Sequence, residues 1–117
     1  MSASIELLSP PPVNNLFRNI PGRGRVISDR YARWRRDAGW QLQQQRPKKH
    51  IGPVTILIEV KAPDNRRRDI DGQVKACLDL LVSHQIIEGD DSRFVKEVSA
   101  RWIDHGEPRA VVTVRAA

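Results

Sequence analysis

VTILIEVKAPDNRRRDIDGQVKACLDLLV, residues 54–82, changes its hydrophobic period once, and that change decides the fold. In Val54–Lys61 the apolar residues Val54, Ile56, Ile58 and Val60 alternate with their neighbours, as in a strand with one buried face. Leu57 on the opposite side implies partial cover there too. From Ile70 the spacing becomes three and four. Ile70, Val74, Cys77, Leu78, Leu81 and Val82 form a helical stripe, with Asp71, Lys75 and Asp79 on the other side. Between strand and helix, Arg66, Arg67 and Arg68 run directly into Asp69 and Asp71. Two carboxylates at the mouth of a helix, under permanent positive charge, suit a metal site that meets phosphate.

Upstream, Ser28 is an N-cap and Asp29 a first-turn acid for a helix reaching about Gln45. Tyr31, Trp34, Ala38 and Leu42 form its buried side, Arg30, Arg33, Arg35 and Arg36 the remainder, and Gly39 weakens it. Residues 4–8 read as a short strand ended by Pro10-Pro11-Pro12, with a turn at Val13-Asn14-Asn15. From Leu16 to Val26, Pro21, Gly22 and Gly24 predict irregular backbone. Arg18, Arg23 and Arg25 charge this loop, and glycine between arginines allows close approach to a phosphate backbone. A loop that is merely solvated is equally compatible with these residues.

Downstream, residues 93–103 read as a strand with Phe94, Val98, Ala100 and Trp102 on one face and Lys96 interrupting it. Asp104–Pro108 reads as a hairpin loop, and residues 109–115 as the returning strand. The expected order is β-α-β-α-β-β. That is a single α+β domain over 1–117, two layers deep, with about four strands in a mixed sheet and two main helices.

Composition narrows the partners. The chain has 117 residues, 39% hydrophobic and 29% charged, with a net charge of +6, values of a folded domain. Its pI near 10.2 comes mainly from arginine, whose planar fork matches phosphate. Nucleic acid, an acidic protein or an anionic membrane surface would each satisfy that charge. No apolar run reaches the ~18 residues that span a bilayer. The N-terminus lacks the charge and apolar run of a secretory signal, and Cys77 has no partner for an internal disulfide. A cytoplasmic, reducing setting is expected.

Asp69 and Asp71 can converge on one point only where the helix begins, because deep inside a helix they would diverge by ~200°. An aspartate at that place is also an ordinary cap. A second acidic pair, Asp90-Asp91, follows the helix. A helix of ~12 residues spans ~18 Å, and the connection after it could reach back ~30 Å. Asp91 is therefore expected at the same end as Asp71. Three carboxylates there would hold Mg²⁺ or Mn²⁺, hard cations that prefer oxygen. Lys75, one turn after Asp71, is either a stabiliser of charge on the phosphate or a surface partner of Asp71 or Asp79. His50, His84 and His105 are scattered and make no zinc site. No phosphate-binding glycine loop or dinucleotide fingerprint is present, so no nucleotide cofactor is expected.

The run PDNRRRDIDGQVKACLDLL, followed by IIEGDDSRFV, resembles the RusA family of Holliday junction resolvases. Pro11-Pro12-Val13-Asn14-Asn15 with Arg18 is similar to that family's early segment, which extends the likeness over much of the chain. The resemblance implies a Mg²⁺-dependent homodimer that binds four-way DNA junctions and makes paired symmetrical nicks in recombination and repair. By position, Asp69, Asp71 and Asp91 would be the metal-binding carboxylates and Lys75 the essential lysine. Asn14, Asn15, Arg18, Arg23, Arg25, Arg66, Arg67 and Arg68 are the expected DNA contacts. Two departures stand out. Gly72 replaces the asparagine common after the second aspartate, and Gly89 lengthens the connection before Asp90-Asp91 by about one residue. A junction-binding protein of impaired chemistry is the alternative that Gly72 raises.

Overall fold

The computed structural model describes residues 2–11 and 17–117, with side chains from Ser4 to Pro11 and from Asn19 onward. Its elements run β1 (Ser2–Leu7), β2 (Phe17–Ile20), β3 (Gly24–Ile27), α1 (Asp29–Gln45), β4 (Val54–Lys61), α2 (Ile70–Ser83), β5 (Val95–Trp102) and β6 (Arg109–Ala116). The order in the main sheet is β1-β6-β4-β5. β4 is central because it is the most apolar strand, with Val54, Ile56, Ile58 and Val60 all buried. It pairs in parallel with β5 and antiparallel with β6. A parallel pair needs a crossover, which α2 supplies. Both helices contact the sheet, giving the expected two-layer α+β architecture.

α1 forms as its sequence predicts. The Tyr31 amide donates to Ser28 Oγ at 3.1 Å, which caps the helix. Tyr31, Trp34, Ala38 and Leu42 are buried against the sheet; burying one such large apolar side chain contributes roughly 1.5–3 kcal/mol. Arg46 ends the helix in a left-handed conformation, φ 49°, and Pro47 prevents its continuation. Gly39 is a packing residue, since a Cβ there would lie 2.7 Å from Nε2 of His84.

α1 also finishes the outer edge of β1. Gln45 Oε1 accepts from the Glu6 amide at 2.8 Å, and its Nε2 donates to the Glu6 carbonyl at 2.6 Å. Gln41 Oε1 accepts from the Leu8 amide at 2.7 Å. These side-chain amides stand in for a neighbouring strand at Glu6 and Leu8, where the edge does not present open backbone.

Four expectations change. The stretch expected to be irregular carries the β2–β3 hairpin as a second, two-stranded sheet. Pro21 and Gly22, the latter at φ 81°, make the tight turn closed by the Arg23 amide on the Ile20 carbonyl at 2.9 Å. The glycines read as breakers are what permits the reversal. Second, residues 104–108 do not close a hairpin. β5 and β6 lie on opposite sides of β4, so this loop crosses the end of β4 instead. Third, the last turn before β5 includes Arg93 and Phe94, and Val95↔Val54 is followed by Glu97↔Thr55, leaving Lys96 as a bulge. That extra residue is why Lys96 interrupts the apolar face. Fourth, the buried side of α2 is Gly72, Gln73, Ala76, Cys77, Leu80 and Leu81, while Val74, Leu78 and Val82 pack at its margin. The expected turn at Val13-Asn14-Asn15 lies outside the described residues.

Candidate active site

The loop from β4 to α2 is organised by Asp64. Its Oδ1 accepts from the Arg66 amide at 2.9 Å and from Arg68 Nη1 at 2.7 Å, and Oδ2 accepts from Arg68 Nη2 at 3.3 Å. The Arg68 guanidinium, helped by the Arg66 amide, pulls the Asp64 carboxyl down to about 2. The Arg68 side chain is only 2% exposed, so the three arginines separate. Arg68 fixes the loop from within, while Arg66 and Arg67 face solvent.

The loop delivers Asp69 to the N-cap of α2 in an extended conformation, φ −84° and ψ 133°, with no capping bond from its side chain. Ordinary capping therefore does not explain Asp69. Asp71 is exposed in the first turn, where Oδ1 accepts from the Gly72 amide at 2.9 Å. Free amides and positive partial charge at this helix end favour a bound anion. Lys75 reaches Asp79 at 3.5 Å, not Asp71. Tyr31 lies across from the same carboxylate, its hydroxyl 3.5 Å from Asp79 Oδ2, and burial followed by that charge pushes its phenol up to about 12.

Gln73 carried no signal in the sequence reading, yet it is fully buried on the first turns of α2. Its Nε2 donates to the carbonyls of Pro11 at 3.1 Å and Pro10 at 3.4 Å. The chain entering the early Asn14–Asn15 segment is thereby tied beside Asp71. The Oε1 of Gln73 is itself buried without a partner, which costs about 1–3 kcal/mol against what the two bonds contribute.

Asp91 stands elsewhere. Its carbonyl accepts from the Phe94 and Val95 amides, and Val95 pairs with Val54 at the beginning of β4. Asp69 and Asp71 belong to the other end, where Ser9 Oγ bonds the Lys61 carbonyl and the adjoining prolines meet Gln73. The connection after α2 does not extend back along the helix. Instead Ile86 and Ile87 enter the core, and the Ile86 carbonyl takes the His50 amide at 2.8 Å. α2 has 14 residues, so about 20 Å of helix separates the two acidic groups. Among the described residues, no three His, Cys, Asp or Glu side chains stand together closely enough to hold a metal ion. The expected convergence of Asp69, Asp71 and Asp91 within one chain is corrected accordingly.

At its own end, Asp91 receives Nε and Nη2 of Arg93, at 3.0 and 2.9 Å, together with the Arg93 amide. Arg93 also lies over the Phe94 ring, 4.9 Å from its centre. Gly89 allows that ring close approach, since a Cβ would meet Phe94 at 2.9 Å. Arg23 and Arg25 are exposed on the β2–β3 hairpin. The side chain of Arg18, and Asn14 and Asn15 entirely, lie outside the described residues.

The family model described as Endodeoxyribonuclease RusA matches residues 9–115, which takes in both acidic groups, both helices and every strand except β1, short only of Ala116 at the end of β6. The chain belongs to the RusA family. A relative from Aquifex aeolicus (strain VF5), named Crossover junction endodeoxyribonuclease RusA, is 30% identical over 115 residues, covering 95% of this chain and 90% of its own. The matched span includes Asp69, at the N-cap without a side-chain capping bond, and Asp71. No helix among the described residues is long and apolar enough to cross a membrane.

Proposed function

We propose that this RusA family member is an endonuclease that resolves four-way DNA junctions by paired, metal-dependent nicks in recombination and repair. The observation that carries the reading is Asp69: a carboxylate at a helix N-cap, without a capping bond, two residues before an exposed Asp71. Hard oxygen donors of this kind fit Mg²⁺, or Mn²⁺, which is commonly held by one or two carboxylates and keeps several waters. Asp69 and Asp71 would hold the ion. When bound, it would supply neutralisation of charge on the scissile phosphate and activation of a water.

The remaining roles belong to the chain. The amides of α2 and Lys75, one turn along, favour negative charge at this end of the helix. Arg66 and Arg67, with Arg18, Arg23 and Arg25, offer positive charge to the DNA backbone, and Asn14 and Asn15 are further contacts. Arg68 serves the same purpose indirectly, by fixing the loop that presents the other two. Asp91 is part of this proposal as the third carboxylate. Since it lies at the far end of its own α2, it would act in the site of a second copy. A homodimer then has two reasons: the junction needs two cuts, and each site needs both chains.

The test is cleavage of a synthetic mobile four-way junction with Mg²⁺ and with EDTA, beside an Asp71→Asn control. Paired nicks that require the metal and disappear in Asp71→Asn, with junction binding retained, are the expected result. Nicking by Asp71→Asn at the wild-type rate would remove Asp71 from the site. Tight junction binding with no metal-dependent cleavage by the wild-type chain would leave a junction-binding protein of impaired chemistry.

A further inference from the structure

Beside the Asp69–Asp71 end of α2 lies a cavity of about 360 Å³ to which neither the carboxylates nor the exposed arginines of the loop contribute. It opens between the chain leaving β1, the first half of α1, the loop holding Arg68, and Pro108 on the β5–β6 crossing. Its walls are Trp34 and the rings of Pro10, Pro11, Pro63 and Pro108. The polar groups among them are mostly engaged already: Trp34 Nε1 donates to the Leu8 carbonyl at 2.8 Å, and the Pro10 and Pro11 carbonyls receive Gln73. What remains is a set of flat, apolar surfaces.

Two further observations select an occupant. Arg68, on the wall, keeps its Nε–H buried without an acceptor, although its terminal nitrogens hold Asp64. A buried donor left open is costly, which points to a group that supplies an acceptor. Arg30 and Arg33 are exposed on the same margin, and the one carboxylate there, Asp37, lies 3.4 Å from Arg36. Flat walls, a buried open donor on a residue of the wall and cations outside match a nucleobase attached to its phosphates. A base offers two apolar faces, ring-nitrogen or carbonyl acceptors on its edge, and a charged backbone that stays outside.

We propose that this cavity receives one unstacked nucleobase from the strand being cut. The proposal rests on the junction-cutting reading and adds to it a means of choosing where the cut falls. Arg68 precedes Asp69 in the chain, so a base held against Arg68 fixes the neighbouring phosphate relative to the candidate carboxylates. Trp34 and the prolines hold the faces of the base, Arg68 Nε reads an acceptor on its edge, and Arg30 and Arg33 hold flanking phosphates. A base at a branch point is the cheapest one to extrude, because part of its stacking is already lost. Bases that present the acceptor toward Arg68 would be preferred, which gives sequence preference without a helix in the major groove.

The experiment uses four-way junctions carrying a fluorescent adenine analogue at each position flanking the cut, one at a time. EDTA is present so that no strand is cut. At saturating protein, one position brightens several-fold as its base leaves the stack. An abasic residue at that position weakens junction binding by about tenfold, the scale of one stacked base. Leu8→Trp and Pro108→Trp each place an indole at the cavity rim from an exposed position. In both variants the bright position turns dim within the bound complex, and the abasic penalty shrinks. If no position brightens, or if both variants brighten and pay the abasic penalty as the wild type does, the cavity takes no base. In that case junction binding and metal-dependent nicking still stand. Failure to bind any junction would overturn this proposal together with the reading beneath it.

Discussion

Asp91 is held by three hydrogen bonds from Arg93, two from the guanidinium and one from the amide. They draw its carboxyl from the ordinary 3.8 down to about 2, with the guanidinium as the larger cause. The folded value lies below the unfolded one. The pair's contribution to stability is therefore complete above 3.8 and is lost as pH falls through about 2. A cation that takes Asp91 has to displace or share this guanidinium. In Arg93→Ala, the Asp91 carboxyl should titrate back toward 3.8 by NMR, and the Mg²⁺ concentration for half-maximal junction cleavage should fall several-fold. A shifted carboxyl with unchanged Mg²⁺ dependence would mean that Arg93 holds Asp91 without competing for the ion. Arg68 contrasts with this pair. It binds Asp64 just as closely but from a buried position, so its role is to shape a loop rather than to occupy a ligand.

Among the elements, β1 depends on α1 for a finished edge. Gln45→Leu removes both bonds to Glu6, and each exposed bond contributes about 0.5–1.5 kcal/mol at most. Thermal unfolding should move down by an amount of that order. Hydrogen exchange at the Glu6 amide should accelerate, and light scattering should show association growing with protein concentration as the edge opens. Normal exchange at Glu6 would mean that the glutamine is ornamental. This dependence of strand on helix was invisible in the sequence, where Gln41 and Gln45 are merely polar positions. What was legible followed from period: β4, both helices and the buried face of α1 carry long, consistent patterns. The β2–β3 hairpin was missed because Pro21, Gly22 and Gly24 mark a tight turn as readily as an irregular loop, and its strands have four residues each. The buried face of α2 was displaced because Gly72, Gln73 and Ala76 face the core without being strongly apolar. The position of β6 between β1 and β4 depends on long-range pairing, which no local pattern encodes. The same holds for Asp91. Its residue type and neighbours were readable, but its place depends on Ile86 and Ile87 docking into the core.

At the scale of the whole molecule, one chain carries two acidic groups, Asp69–Asp71 and Asp91, with about 20 Å of α2 between them. No rotation of side chains closes that distance, and moving Asp91 would require withdrawing Ile86 and Ile87 from the core. A cyclic dimer solves the problem without strain if it sets the Asp69–Asp71 end of each chain against the Asp91 end of the other. The consequence is a complementation pattern. Asp71→Asn and Asp91→Asn homodimers should each fail to nick a junction. After the two are unfolded together and refolded, half of the dimers will be mixed if the variants assemble at random. In a mixed dimer one site carries both substitutions and the other carries neither. Cleavage should therefore return, as single nicks in one strand of the symmetric pair, at about one quarter of the wild-type site count. If all three carboxylates acted within one chain, each mixed dimer would have two defective sites, and mixing would restore nothing. Strand-resolved gels separate these outcomes, because a composite site gives single nicks where the wild type gives pairs.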